Sequence, residues 1–542
     1  MNCCHEERQC ADLARLEKLI KTHEQEVYRA LLKQDKQIAD LACKFNGDIQ
    51  KAIYEYLLLM EKEGKLQEII TDTILNDVLV MEHKTTGIIN IKEYGAIGDG
   101  FCDDTDAIQK AIDHAHDMGG GMVVIPASDG AFIFSTITVK EGVTLKGWGG
   151  VLKLKNSRCL DAAVSYYLIK NEGDNVSLVD LIIDGNAAHN HLYKVADAIT
   201  VSGKNIRVTG CKIINPPDSG IMYSCVENSI CSGNMISGAR DCGIYINNNG
   251  KTDLEMGSTC EGNIIDGCYT GIAMKRVVQY MAVTGNIIKN CEYGITHENA
   301  SADDDFSTDT IVSSNMIINT LNTAVILRGS KRCIVQGNYI NGFNYCGIEL
   351  QGAEQCTIEG NTMKAAITST KRHAACVSLA PRAEADLVSQ NNIVANNAFD
   401  VYFTHATYYF SFISIEDGNQ NIVIGNNGKG TVNRGVTLVN TARNQIANNN
   451  LSGCEYSVVT NGNTDNLFQS NTIQGSDKLI YDPPIIGYTL FGASIYVNHT
   501  GSAPAFNANE NDICLSKAPA SNGCIGWIRT GGAWVPFAPV TA

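Results

Sequence analysis

No stretch of about 18 apolar residues, the least a helix needs to cross a bilayer, occurs in the 542 residues. The amino terminus, MNCCHEERQC, also lacks a basic segment followed by an apolar one, so no leader is expected and synthesis in a cytoplasm is the natural reading. Positive charge is in deficit: 42 Lys and Arg face 58 Asp and Glu, a net charge of -16. That balance argues against nucleic acid or an anionic membrane as the main partner, because either would repel the chain, and it leaves neutral or partly charged glycans open. A single ordinary core is excluded as well, since such cores stop growing at roughly 250–300 residues. The chain therefore holds several domains or a repeat. Cysteine is abundant at 20 residues, but these are spread along the chain and many recur at repeat positions, so they read as reduced, small packing residues.

Proline is absent from residues 11–76, and only Gly47 and Gly64 interrupt them. Leu13, Leu16, Ile20 and Val27, then Leu31, Ile38 and Phe45, then Ile49, Ile53, Tyr56 and Met60 keep spacings of mostly three, four and seven. This is a heptad seam with a four-residue insertion near Val27 to Leu31, and it predicts a parallel coiled coil and hence an oligomer; a helical hairpin is the alternative. Cys3, Cys4, His5 and Cys10 precede it with a spacing that fits no closed zinc site.

The middle of the chain repeats. Units such as GNMISGARDCGIYIN, GNIIDGCYTGIAMK, GNIIKNCEYGITHE and GNYINGFNYCGIELQ are headed by Asn234, Asn263, Asn286, Asn315, Asn338 and Asn361, at intervals of 29, 23, 29, 23 and 23. Weaker copies start at Asn392, Asn449 and Asn471. Each unit offers two short apolar strands separated by Gly, Asn or Asp and cannot bury its own apolar side, so the units must stack into a parallel β-solenoid. A propeller or sandwich would need antiparallel hairpins with tight turns. Asn at the corners tolerates left-handed angles and can pair with its equivalents above and below. Ile221, Ile244, Ile272, Ile295 and Ile348, each following Gly, should form an inward column, with Cys242 and Cys346 also facing inward.

NIKEYGAIGDGFCDDTDAIQKAID, GGGMVVIPAS and FIFSTITVKEGVTLKGWGG, over residues 91–150, followed by DLIIDGNAAHN, resemble the opening segment of the pectate-lyase-like superfamily of right-handed β-helices found in phage tailspikes and pre-neck appendages. The resemblance implies a strand, an acidic turn and a short helix covering the end of the solenoid, with Asp99, Asp103, Asp104 and Asp106 structural. Asp103 and Asp104 can cap the helix, where negative charge suits its dipole. NDICLSKAPASNGCIGWIRTGGAWVPFAPV, residues 511–540, resembles the short β tail that ends many tailspikes and helps their chains trimerise. The expected fold is all-β: a helical coiled-coil or attachment segment over 1–87, a cap over 88–155, a right-handed parallel β-helix over 156–485 and a small C-terminal β trimerisation tail over 486–542, assembled as a homotrimer.

On the outward side of the strands, Asp218 in PPDSGI and Asp241 in ARDCGI fall in one column, with Asp197 in VADAI one residue out of phase. Rungs about 4.8 Å apart would bring Asp218 and Asp241 near the carboxylate separation of about 5–5.5 Å used by retaining glycosidases. A second outward column holds Asn247, Lys275, Glu298, Arg328 and Gln351, with Glu349 nearby and Arg328 expected to neutralise Glu298 and Glu349. Tyr223, Tyr245 and Tyr269 could face sugar rings. His189, His191 and His297 are expected on the surface. ENASADDDFSTD reads as a solvated loop, and neither a metal nor another cofactor is expected. The hydrolase members of the superfamily carry Gly-His-Gly and paired aspartates on repeat strands, and this chain has neither, which puts catalysis in question.

The resemblance implies a virion tail appendage made in the host cytoplasm, with a bacterial surface glycan, its own copies and other tail or baseplate proteins as partners. It would contact neither nucleic acid nor the membrane interior. A free bacterial polysaccharide lyase, hydrolase or epimerase is the alternative reading, and a non-catalytic spike is another.

Overall fold

A computed structural model describes residues 87–157, 165–190, 196–249, 255–298, 307–367, 374–382, 385–403, 408–461, 465–481, 486–490, 493–498, 513–516, 524–530 and 533–539. The heptad seam, the loop at 299–306 and His191 lie outside the described residues.

Ile89–Ala542 is one compact unit dominated by parallel strands. Fifteen strands, from Ile88–Asn90 and Gly121–Pro126 to Leu467–Gln469, form the first face. Two further stacks of parallel strands, exemplified by Lys212–Ile214 and Ile221–Glu227, form the second and third. These two faces merge toward the C-terminal end through the long strands Asn427–Val439, Asn450–Asn461 and Thr472–Tyr481. Each rung is therefore a three-sided turn of a β-helix, and its middle strand residues, such as Val208, Ile213 and Ile244, are buried in one continuous core.

The triangle follows from three left-handed corners per rung. Between the first and second faces stand Gly233, Gly262, Gly285, Ser314, Gly337 and Gly360, all with φ between 57° and 65°. After the second face stand Gly238, Gly267, Asn290, Asn319 and Gly342, and before the first face stand residues such as Asn228, Gly257 and Asp309. Glycine and asparagine enter this region at least cost, so the punctuation of the repeat is the geometry of its corners.

The head asparagines have a different job from the one their type suggests. They are not the left-handed residues; each follows one and turns its side chain inward. Asn286 Nδ2 donates to Asn315 Oδ1 at 2.9 Å and to the Cys260 carbonyl at 3.0 Å, and its backbone N–H donates to Asn315 Oδ1 at 2.9 Å. Asn315 repeats the pattern onto Asn338 and Asn338 onto Asn361. Both amide hydrogens and both oxygen lone pairs are used, so a fully buried polar column carries no unsatisfied group. The ladder continues through Asn397, Asn426, Asn449 and Asn471. Asn392, read in the sequence as a head, belongs instead to a second ladder at another corner, with Asn421, Asn444 and Asn466. The NN pair at 391–392 resembles a repeat start because it occupies an equivalent corner one face earlier.

The inward column is as expected: Ile221, Ile244, Ile272 and Ile295 are successive register partners, Val325 intervenes, and Ile348 follows. Cys242 and Cys346 depart from expectation. Both are fully buried, but neither belongs to the interior cluster. The glycine between each cysteine and its isoleucine takes the inward position: a Cβ on Gly243 would lie 2.5 Å from Ile265 Cγ2, and one on Gly347 would lie 2.6 Å from Met363 Sδ. That close approach breaks the alternation of the strand, so Cys242 lies outside, beside Asp241 and Lys275.

At the N-terminal end, the helix Thr105–Asp117 buries Ile108, Ala111, Ile112 and Ala115. The acidic turn is spent on local hydrogen bonds. Asp104 accepts from Ile97 N at 2.6 Å and Gly98 N at 3.2 Å, Asp99 from Phe101 N and Cys102 N at 2.8 Å, and Asp103 from Thr105 N at 3.1 Å while pairing with Lys155. Asp104 is thus the N-cap residue without a side-chain capping bond, and its carboxylate pins the preceding turn instead. At the other end, Ile486–Leu490, Ala493–Asn498, Ile513–Ser516, Cys524–Thr530 and Ala533–Pro539 form a separate, mostly antiparallel sheet of five strands.

Candidate functional site

On the third face, the residues just before the Gly-Ile strands fall on one vertical line. Asp241 N donates to the Asp218 carbonyl at 3.2 Å, Thr270 N to the Asp241 carbonyl at 3.0 Å, and Tyr293 N to the Tyr269 carbonyl at 3.0 Å. Asp218, Asp241, Tyr269 and Glu292 are therefore successive rungs of one edge. Asp197 stands one rung before Asp218 and one residue out of phase, beside Ser219, whose carbonyl accepts from Ala198 N at 3.0 Å.

The three aspartates have distinct surroundings. Asp197 is 1% exposed and receives Thr200 Oγ1 at 3.3 Å. Burial, reinforced by the charge of Asp218, pushes its carboxyl up to about 7 against the bonds from Ser219 and Thr200. Asp218 is also largely buried; desolvation and Asp241 raise it, while the Arg240 guanidinium, 2.6 Å from Oδ1, opposes them. Asp241 is partly exposed. One carboxyl that holds a proton near neutrality thus stands beside another clamped by a cation, an arrangement suited to splitting acid and base roles.

The column after the strand is in the expected register: Asn247, Lys275, Glu298, Arg328 and Gln351 are successive partners. Arg328 does not bridge the two glutamates as expected. Its Nε donates to Gln351 Oε1 at 2.6 Å, and Gln351 Nε2 donates to Glu349 Oε1 at 2.8 Å, so the amide relays between the cation and the acid. Tyr245 faces outward with Lys275 Nζ 5.8 Å from its ring centroid. Tyr269 is 52% exposed and meets Tyr293 edge to face, with centroids 5.6 Å apart.

Tyr223 is a correction: it lies two residues beyond Ile221, inside the solenoid, and donates its hydroxyl to the Ile230 carbonyl at 2.7 Å, so it has no face to offer a sugar. His297 is another, being buried in the interior with Nδ1 2.8 Å from Ser330 Oγ. His189 is exposed. Sequence reasoning missed Arg240 and Tyr293. Arg240 is the one cation in PPDSGI and ARDCGI and adjoins Asp241, the register partner of Asp218, so its proximity to Asp218 could have been read from the sequence; Tyr293 stands in EYGI at the phase of Cys242.

Residues 88–301 match the family described as rhamnogalacturonase A/epimerase, pectate lyase-like, and residues 283–412 match one described as periplasmic copper-binding protein (NosD). Alginate lyase 7 of Azotobacter vinelandii is 39% identical over 112 residues, 18% of this chain and 12% of that protein, so the chain spans about one eighth of that relative. The pre-neck appendage protein of Bacillus phage B103 is 24% identical over 284 residues, 46% of this chain and 31% of that protein. Among solved structures, a tailspike protein mutant of E. coli bacteriophage HK620 in complex with a pentasaccharide aligns with a TM-score of 0.53 at 13% identity, covering 84% of this chain and 91% of that one. The chain is accordingly a parallel β-helix protein whose residues 88–301 resemble the pectate-lyase-like family.

Proposed function

We propose that the chain forms the body of a phage or prophage tail appendage that binds a bacterial surface polysaccharide along its third face. The observation that carries this reading is the line of Asp218, Asp241, Tyr269 and Glu292, an edge of hydrogen-bonding carboxylates and an exposed ring repeating at the spacing of rungs. Carboxylates accept pairs of sugar hydroxyls and tyrosine offers a flat apolar face. Lys275, Glu298, Arg328 and Tyr245 extend the same surface, whereas Asn247 and Glu349, expected there from the sequence, are buried at 1% and 4% exposure. The appendage and tailspike likenesses support a virion tail setting. The heptad seam and the C-terminal β segment support a homotrimer, with the N-terminal segment as attachment to other tail proteins.

Cleavage is the second activity of this reading, and Asp197 is the residue that favours it. Held protonated near neutrality, it can give its proton to a glycosidic oxygen while Asp218 or Asp241 attacks the anomeric carbon or activates a water. Arg240 favours the ionised form of Asp218 against the desolvation that raises it. A free lyase or epimerase is favoured by the alginate lyase and mannuronan C5-epimerase likenesses, each confined to about 112 residues, and by the epimerase-type family match.

The test is incubation of purified protein with capsule and lipopolysaccharide from candidate hosts, following retention on the glycan, reducing ends and the ultraviolet absorbance of an unsaturated product. Retention supports the spike reading, with reducing ends adding hydrolysis. Unsaturated ends would move the assignment to a lyase. Absence of retention across hosts whose growth the phage restricts would leave a structural spike.

A further inference from the structure

One pair of core cysteines stacks at a corner of the solenoid. Cys268 and Cys291 follow the corner residues Gly267 and Asn290 of adjacent rungs. They are bracketed by two register pairs, Asp266 with Lys289 and Thr270 with Tyr293, so the two cysteines are vertical neighbours. Parallel neighbours lie about 4.8 Å apart, within the Cα separation of about 4.4–6.8 Å that a disulfide spans. Both are free; Cys268 Sγ donates to the Asp266 carbonyl at 3.7 Å and Cys291 Sγ to the Lys289 carbonyl at 3.4 Å. Cys268 is 4% exposed and Cys291 fully buried.

We infer that Cys268 and Cys291 form an oxidative modification site, in which a small peroxide converts the stacked thiols into a disulfide joining two rungs beneath Tyr269 and Glu292. Cys291 is the attacking sulfur. The neighbouring Cys268 thiol lowers the Cys291 thiol from its ordinary value, while Cys268 is itself raised. The thiolate is the nucleophilic form. Its sulfur attacks one oxygen of hydrogen peroxide, the O–O bond breaks, and hydroxide leaves, giving a sulfenic acid. The Cys268 sulfur then attacks the Cys291 sulfur and a second water departs with the thiol proton. The balance is two thiols and one peroxide giving one disulfide and two waters. Thr320 stands at the equivalent corner of the next rung, where its buried hydroxyl has no hydrogen-bond partner among the described residues and can donate to the sulfenate oxygen.

The other stacked pairs share the vertical register and differ in the state of their thiols. Cys231 and Cys260 are register partners in the first face, and Cys333 neighbours Cys356. Burial pushes the Cys231 and Cys333 thiols far up, away from the reactive form.

The experiment treats the full chain, folded and reduced, with graded hydrogen peroxide, alkylates the remaining thiols after denaturation and maps peptides by mass spectrometry. Exposed Cys102 reports that the oxidant acted. The expected result is a peptide joined through Cys268 and Cys291 while Cys231, Cys260, Cys333 and Cys356 stay alkylatable. In Cys268→Ser the disulfide is lost and dimedone labels Cys291. Three results would overturn the inference: Cys102 oxidised with Cys268 and Cys291 still reduced, joining of Cys231 to Cys260 at the same peroxide dose, or no dimedone label on Cys291 in a folded Cys268→Ser protein.

Discussion

Replacing Asp197 by Asn separates the physical chemistry of the acidic edge from any assay of function. The substitution keeps the shape of the side chain and removes its ionisation. In the fold, burial and Asp218 hold the carboxyl at about 7; an unperturbed aspartate titrates at ~3.9, and at ~1.4 kcal/mol per pH unit the interval corresponds to ~4 kcal/mol. The sign follows from proton counting. Between these two values the folded chain binds a proton that the unfolded chain does not, so this group favours the fold fully below pH ~3.9 and loses that contribution as pH rises through about 7. Asn pays no such charge penalty. The variant should therefore gain on the wild type in stability by ~3 kcal/mol between pH 5 and pH 8, the part of the interval left above pH 5, read as the pH-dependent difference in denaturant or thermal midpoints at a fixed scan rate. If the two proteins show parallel pH profiles, Asp197 ionises freely in the fold and cannot serve as a proton donor. Loss of glycan cleavage in a variant that is more stable at pH 8 would then be assigned to chemistry and not to misfolding.

His297 predicts the opposite pH trend. Burial holds it at about 4 against ~6.5 when free, so the fold loses stability as pH falls below ~6.5, and His297→Met should flatten that part of the profile. Asn315→Ala should cost about 2–5 kcal/mol in denaturant unfolding, because Asn286 would lose the acceptor of its backbone and side-chain N–H groups. Tyr269→Ala should weaken retention on the host glycan with little change in midpoint, whereas Tyr223→Phe should lose about 1 kcal/mol of stability and leave retention unchanged; the reverse pattern would reject the outward edge as the binding surface.

How far the sequence reaches is clearest at the Gly-Ile pairs. Their 23- and 29-residue recurrence and alternate apolar residues determined that rungs stack, that Ile221, Ile244, Ile272 and Ile295 line up inside, and that Asp218 and Asp241 share a column while Asp197 is one step out of phase. These follow from periodicity, because in a solenoid the vertical neighbour is the residue one repeat away. The tertiary structure alone decided what happens where the period breaks. Gly243 has no room for a Cβ, so Cys242 goes outward, and Asn392 moves to a second corner. It also decided the electrostatics, since the proton affinity of Asp197 depends on desolvation and on Asp218 and Ser219 from the neighbouring rung. Spacing along a chain records which residues are neighbours, but burial is a property of everything packed around them.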